Sequence, residues 1–133
     1  MSRFLIDSSA VWRFRRDDAL AASWDVPVIG GDVRSCAPQR VELLRSMRNA
    51  DEFERDSAIL LETFPDVAVP KTVWRWVDSA QLRLAHAGVL RAFSVVDLLI
   101  CATAAHHGLA ILHDDNDFVT AARHLADIRE ERV

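Results

Sequence analysis

Lysine is nearly absent from this 133-residue chain: of sixteen basic residues, fifteen are arginine and Lys71 stands alone. A receiver-like domain phosphorylated on aspartate is disfavoured by that shortage, since it needs a lysine near its end, and by the lack of a clear five-strand repeat. Cysteine is scarce too. Cys36 and Cys101 lie far apart and form no CxxC or Cys/His cluster, which removes zinc ribbons and thiol redox motifs. Both are expected to be reduced and buried, and a cytoplasmic address follows as the default. No apolar run approaches the roughly 20 residues that span a bilayer, and Met1–Asp7 reaches an acid too soon for a signal segment. The chain carries no P-loop, no glycine-rich dinucleotide loop and no Gly-x-Ser-x-Gly elbow. No histidine pair has metal spacing either, because His106 and His107 are adjacent.

What remains is an ordinary globular composition, 50% apolar and 27% charged, sufficient for one domain over residues 1–133 with a real core. Arg3–Ile6 is a short apolar run ending at Asp7 and reads as a buried strand. Ser8 and Ser9 offer cap hydroxyls for the helix that follows. A short helix over Asp18–Trp24 is next. Pro27, Gly30 and Gly31 punctuate the chain before a brief strand at Val33–Cys36. After Pro38, Val41, Leu43, Leu44 and Met47 mark a helix carrying Glu42. Asp51 is placed to cap another, with Phe53, Ile59, Leu60 and Phe64 inward. Val67–Val69 is extended and leads to Pro70, an N1 residue for a helix to His86 that Gly88 closes. Ser94 starts a helix that runs to His107 and ends at Gly108. Leu109–Leu112 is a clear strand, followed by an acidic loop and a helix over Phe118–Leu125. Strands alternating with helices predict an α/β fold with a parallel sheet between helical layers.

Five acids occupy the informative places. Asp7 follows the first strand, and Asp115 and Asp117 follow the last clear one. In open parallel sheets, ligands bind beyond the carboxyl ends of the strands. Asp97 follows Ser94 at capping-box spacing, where a helix N-terminus also favours negative charge. Glu42 abuts the apolar stripe of its helix and reads either as an inward ligand or as a partner for Arg45. Capping alone is the competing account of Asp7 and of Asp117. Asp114–Asp117 lacks the glycine and the terminal glutamate of a calcium loop.

Gathered in one place, these carboxylates would repel and resist ionisation unless a cation joined them. An all-oxygen donor set suits Mg²⁺ or Mn²⁺ and not zinc. The net charge of −4 argues weakly against a nucleic-acid partner, but with five acids committed to a metal the remainder is slightly basic. Arginine forks suit phosphate, and Arg13, Arg15 and Arg16 cluster after Asp7 while Arg40, Arg45 and Arg48 surround Glu42. Solvated ion pairs explain such clusters equally well. Of Trp74 and Trp76, two apart on one helix, one is expected in the core; the other, with Trp12, marks an interface.

Leu5-Ile6-Asp7-Ser8-Ser9-Ala10-Val11-Trp12 resembles the opening motif of PIN-domain proteins. Val41–Leu44, Ser94–Ala104 and Leu112–Phe118 resemble their second, third and fourth motifs, in order and across nearly the whole chain. At this length the chain is similar to VapC toxins of bacterial toxin–antitoxin pairs. The resemblance implies a Rossmann-like PIN fold and a Mg²⁺- or Mn²⁺-dependent endoribonuclease acting on tRNA or rRNA. Asp7, Glu42, Asp97 and Asp115 would form its acidic core, with Asp117 as the fifth member. It also implies a VapB-like antitoxin partner, often presenting an arginine to the groove, and a homodimer or toxin–antitoxin hetero-oligomer. A binding module of low catalytic power, acting through its antitoxin complex, is the alternative. His113 stands where many relatives have Thr or Ser, whose hydroxyl could support the acidic site.

Overall fold

Residues 3–133 are described by a computed structural model of the chain. Four strands, β1 (Phe4–Ile6), β2 (Val33–Arg34), β3 (Ala110–His113) and β4 (Arg129–Arg132), pair in parallel in the order β2-β1-β3-β4. The helices are α1 (Ser8–Arg16), α2 (Asp18–Ser23), α3 (Asp25–Ile29), α4 (Ala37–Leu44), α5 (Ala50–Thr63), α6 (Val73–His86), α7 (Val95–His107) and α8 (Asn116–His124). The chain steps from β1 outward to β2, then crosses back to β3 on the other side of β1. Strand order therefore reverses between β1 and β3, and the crevice of such a sheet opens at their carboxyl ends.

Period-two alternation within continuous apolar runs gives β1 and β3 two buried faces. Leu5 and Ile111 point into a core with Val77 and Leu84 of α6, Ile100 and Ala104 of α7, and Phe118 of α8. Phe4, Ile6 and Leu112 point the opposite way, against Val11 of α1, Leu43 of α4 and Leu60 of α5. The expected parallel sheet between helical layers is the architecture found. No helix among the described residues is long and apolar enough to cross a membrane.

Local chemistry shifts several expected boundaries. Asp7, not Ser8 or Ser9, is the N-cap of α1, its carboxylate accepting from the Ser9 amide. Asn49, not Asp51, caps α5, and Asp51 lies in its first turn. Pro70 is not an N1 residue: a turn intervenes and α6 begins at Val73 after Thr72. Pro27 sits inside the five-residue helix α3, early enough that its missing N–H costs no intrahelical bond. The inward face of α4 is Gln39 and Leu43, whereas Val41 is 62% exposed. β4 has no counterpart in the expected elements. Its sequence is Arg-Glu-Glu-Arg, charged as suits a sheet edge. The helix from Ser94 to Gly108 is as expected, with a full capping box at one end and a left-handed glycine, φ 67°, at the other.

Candidate metal centre

Asp7, Glu42, Asp97 and Asp115 line one cavity of about 430 Å³, with Ser8, Ser9, Trp12, Leu43, Ser46 and Ser94. Each acid arrives on a different element. Asp7 follows β1, and its backbone N–H is tied to Leu112 O at 2.9 Å. Glu42 rides on α4 one position before buried Leu43. Asp97 is the third residue of α7, where it accepts from the Ser94 amide at 2.9 Å. Asp115 caps α8, its Oδ1 accepting from the Asp117 amide at 2.9 Å. Asp117 is in the first turn of α8 and is not among the residues lining the cavity. The capping account thus belongs to Asp115, and capping and cavity lining coexist at Asp7, Asp97 and Asp115.

Electrostatics mark Asp7, Glu42 and Asp97, and Asp117 beside the cavity. Asp7 is only 4% exposed, and burial raises its pKa. Hydrogen bonds from Ser9 oppose that shift, and the charges of Glu42 and Asp115 add to it. Burial likewise raises Glu42, opposed by a hydrogen bond with Ser8 and by Arg45, and reinforced by Asp97 and Asp115. Asp97 is raised by burial and by the charges of Asp7 and Asp115, against its bonds to Ser94. Asp117 is raised by burial and by the Asp115 charge. Four acids are thus pushed in one direction by desolvation and by neighbouring carboxylates, which makes this cavity the candidate site. Glu42 lines the cavity and also feels the Arg45 charge.

Among the described residues no three His, Cys, Asp or Glu side chains close into a metal cage. The donor set still fits Mg²⁺ or Mn²⁺, because Mg²⁺ keeps several waters and uses only one or two carboxylates directly. A cavity of this volume rimmed with acids and serine hydroxyls has room for such a hydrated ion.

Ser9 is the residue whose role exceeds the sequence reading. Its hydroxyl donates to Asp7 Oδ2 at 2.6 Å and accepts from the Asp114 amide at 2.9 Å. His113, wholly buried, meets Glu130 Oε2 at 2.6 Å through Nε2 and the Asp115 amide at 3.0 Å through Nδ1. Most of the arginines near the acids are committed to ion pairs. Arg13 meets Asp17, Arg15 meets Asp56, Arg40 meets Asp66 and Arg48 meets Glu52. Trp12 lines the cavity, with the Arg15 guanidinium 5.1 Å from its ring centre. Trp76 packs on the core and donates to Asp127, while Trp74 is 58% exposed.

The PIN domain family profile matches residues 4–124. Ribonuclease VapC6 of Mycobacterium tuberculosis (strain ATCC 25618 / H37Rv) is 62% identical over 101 residues, 76% of this chain and 80% of its own length. Ribonuclease VapC21 of the same strain is 28% identical over 117 residues, 88% and 84% of the two chains. Among solved structures, VapBC2 from Rickettsia felis bound to a DNA fragment from their promoter superposes with a TM-score of 0.80 at 10% identity, covering 98% of both chains. FitAcB from Neisseria gonorrhoeae gives 0.73 at 19% identity, covering 96% and 95%. At those identities the structural likeness speaks to the fold alone.

Proposed function

The chain belongs to the PIN domain family, in its VapC branch, and on that premise we propose that it is an Mg²⁺- or Mn²⁺-dependent endoribonuclease toxin. Its substrate is RNA, with tRNA or rRNA as the target class and arrest of translation as the consequence. A VapB-like antitoxin restrains it in a toxin–antitoxin hetero-oligomer, and the free toxin is a homodimer. The observation that carries the reading is the cavity at the β1/β3 crevice lined by Asp7, Glu42, Asp97 and Asp115. Support for the activity comes from ribonuclease VapC6, similar over most of both chains, and support for the partner from the VapBC complexes that share the fold.

Bound Mg²⁺ or Mn²⁺ supplies Lewis-acid charge against a phosphodiester and against the clustered carboxylates. Asp7 and Asp97 would hold that ion, since they are fixed by hydrogen bonds to Ser9 and Ser94. Asp115 and Glu42 complete the acidic ring, and Asp117 adds negative charge from the next turn. Glu42, part-buried and with a raised pKa, is placed to take the proton of an attacking water. Arg45, beside it, is available to a phosphate. The Ser9 and Ser94 hydrogen bonds keep two carboxylates from swinging out of the crevice as substrate enters.

Purified protein should cleave RNA when Mg²⁺ or Mn²⁺ is present, stop in EDTA, and lose cleavage on Asp97→Asn with the fold retained. Metal-independent cleavage, or full activity in an Asp7→Asn/Asp97→Asn protein, would sink the assignment. The alternative, a module that binds its antitoxin but has little catalysis, predicts acid-dependent antitoxin binding with no cleavage in any of these reactions. Sequencing RNA ends after induction, wild type against Asp7→Asn, identifies the target.

A further inference from the structure

The parallel register sets Ile111 opposite Glu130, and His113 lies two residues beyond Ile111 on the same face of the sheet. A diagonal cross-strand pair of this kind is within reach of long side chains, and His113 Nε2 meets Glu130 Oε2 at 2.6 Å. Phe118 of α8 stands against the imidazole, ring centres 5.5 Å apart, and His113 has no exposed surface. On its other edge, Nδ1 lies 3.0 Å from the Asp115 amide nitrogen. A backbone N–H only donates, so Nδ1 must present a lone pair. A carboxylate accepts, so Nε2 carries the hydrogen. The partners therefore specify one neutral tautomer. A proton on Nδ1 would face the Asp115 N–H hydrogen to hydrogen.

The consequence falls on Asp115. Its amide is held by His113 and its Oδ1 by the Asp117 amide. No hydrogen bond among the described residues takes Oδ2, and the residue lines the acidic cavity. We propose that His113 and Glu130 are positioning residues: β4 fixes the imidazole tautomer, and the imidazole fixes Asp115 at the mouth of the crevice. This gives the charged edge strand a role in the site that its distance in sequence conceals. The effect on cleavage rests on the hydrolytic reading above; the tautomer and the Asp115 amide bond do not.

Matched side chains separate positioning from packing. In His113→Asn the amide oxygen replaces Nδ1 as acceptor for the residue two ahead, as in an Asx-turn. His113→Leu has nearly the same shape and no acceptor. We expect His113→Leu to lower kcat about 10- to 100-fold, the usual cost of losing a support behind a ligand, with KM for RNA unchanged. His113→Asn should recover most of that loss. Hydrogen exchange at the Asp115 amide should be slow in wild type and His113→Asn and fast in His113→Leu. Imidazole nitrogen NMR of the wild-type protein should show the hydrogen on Nε2 and a bare Nδ1, and Glu130→Leu, which leaves only the Asp115 amide to select the tautomer, should weaken that preference where Glu130→Gln keeps it. Equal kcat in the Leu and Asn variants, or a hydrogen on Nδ1 in wild type, overturns the proposal. Should no preparation cleave RNA, the hydrolytic reading fails, and the NMR and exchange results still decide the pair. The NMR result decides it equally if the Leu variant does not fold, because the tautomer is read on the wild-type chain.

Discussion

Ser9 Oγ stands 2.6 Å from Asp7 Oδ2, and the same oxygen accepts the Asp114 amide from across the crevice. One hydroxyl thus joins the carboxyl end of β1 to the loop after β3, where strand order reverses. It also holds down the pKa of the most buried acid in the cavity.

Ser9→Ala removes a charge-assisted bond and strands the Asp114 amide. Bonds of that kind are worth about 1.5–3 kcal/mol, but Ser9 is only part-buried, so we expect urea unfolding to report a loss of about 1–2 kcal/mol. Without the Ser9 hydroxyl bond, and with only the backbone amide at position 9 still donating to Asp7, Asp7 rises further and Mn²⁺ binding weakens, by about tenfold in titration calorimetry for the ~1.4 kcal/mol lost. Unchanged stability and unchanged Mn²⁺ affinity would show that the hydroxyl is incidental.

Asp7 carries two roles that different substitutions pull apart. Asn caps a helix about as well as Asp, whereas Ala costs about 1 kcal/mol. In EDTA Asp7→Asn should melt at or above wild type, since one charge leaves the cluster, and Asp7→Ala below Asp7→Asn by about 3–6 °C for a chain of this size. Both should lose RNA cleavage. Retained cleavage in Asp7→Asn would leave Asp7 a cap and nothing more.

How much of this was legible in the sequence differs by residue. Asp7, Asp97 and Asp115 could be placed because each ends a strand or starts a helix, and those positions are set by local patterns. Glu42 could not. The rotation of α4 is decided by Gln39 and Leu43 packing inward, and a buried glutamine 0% exposed carries no apolar signal. β4 was hidden for the opposite reason. An edge strand made only of charged residues has no hydrophobic period, so neither its pairing with β3 nor the reach of Glu130 to His113 leaves a trace in sequence. The arginine clusters suited phosphate and solvated ion pairs equally well in sequence; Arg15 meets Asp56, forty-one residues away, and such partners become visible only once the chain is folded.

The two cysteines supply a check on packing independent of the site. Cys36 and Cys101 are free and buried; burial pushes the Cys36 thiol up to about 11 and raises Cys101 as well. Thiolate is the reactive form. Iodoacetamide at pH 8 should therefore leave both unmodified in the native protein and label both in denaturant, read by mass spectrometry. Rapid native labelling of Cys36 would mean that the β2–α4 junction opens readily.

The raised acids make the stability of the metal-free protein depend on pH in a defined direction. Asp7, Glu42 and Asp97 hold protons in the folded state that an unfolded chain releases near 3.8 for Asp and 4.5 for Glu. Above those values the native state binds more protons than the unfolded state, so their contribution destabilises increasingly as pH rises toward the elevated folded values. Below them both states are protonated and the penalty vanishes. Other carboxylates act oppositely, such as Glu52, lowered by Arg48, so the effect should be read as a difference between proteins. In EDTA, Asp97→Asn should match wild type near pH 3.5 and melt progressively higher than it toward neutral pH, because one charge is missing from the cluster. Mn²⁺ should then raise the wild-type midpoint, by mass action on the folded state, more than that of the variant. If Asp97→Asn instead melts below wild type at every pH in EDTA, the four carboxylates do not repel one another across the cavity, and the electrostatic argument for a cation between them fails.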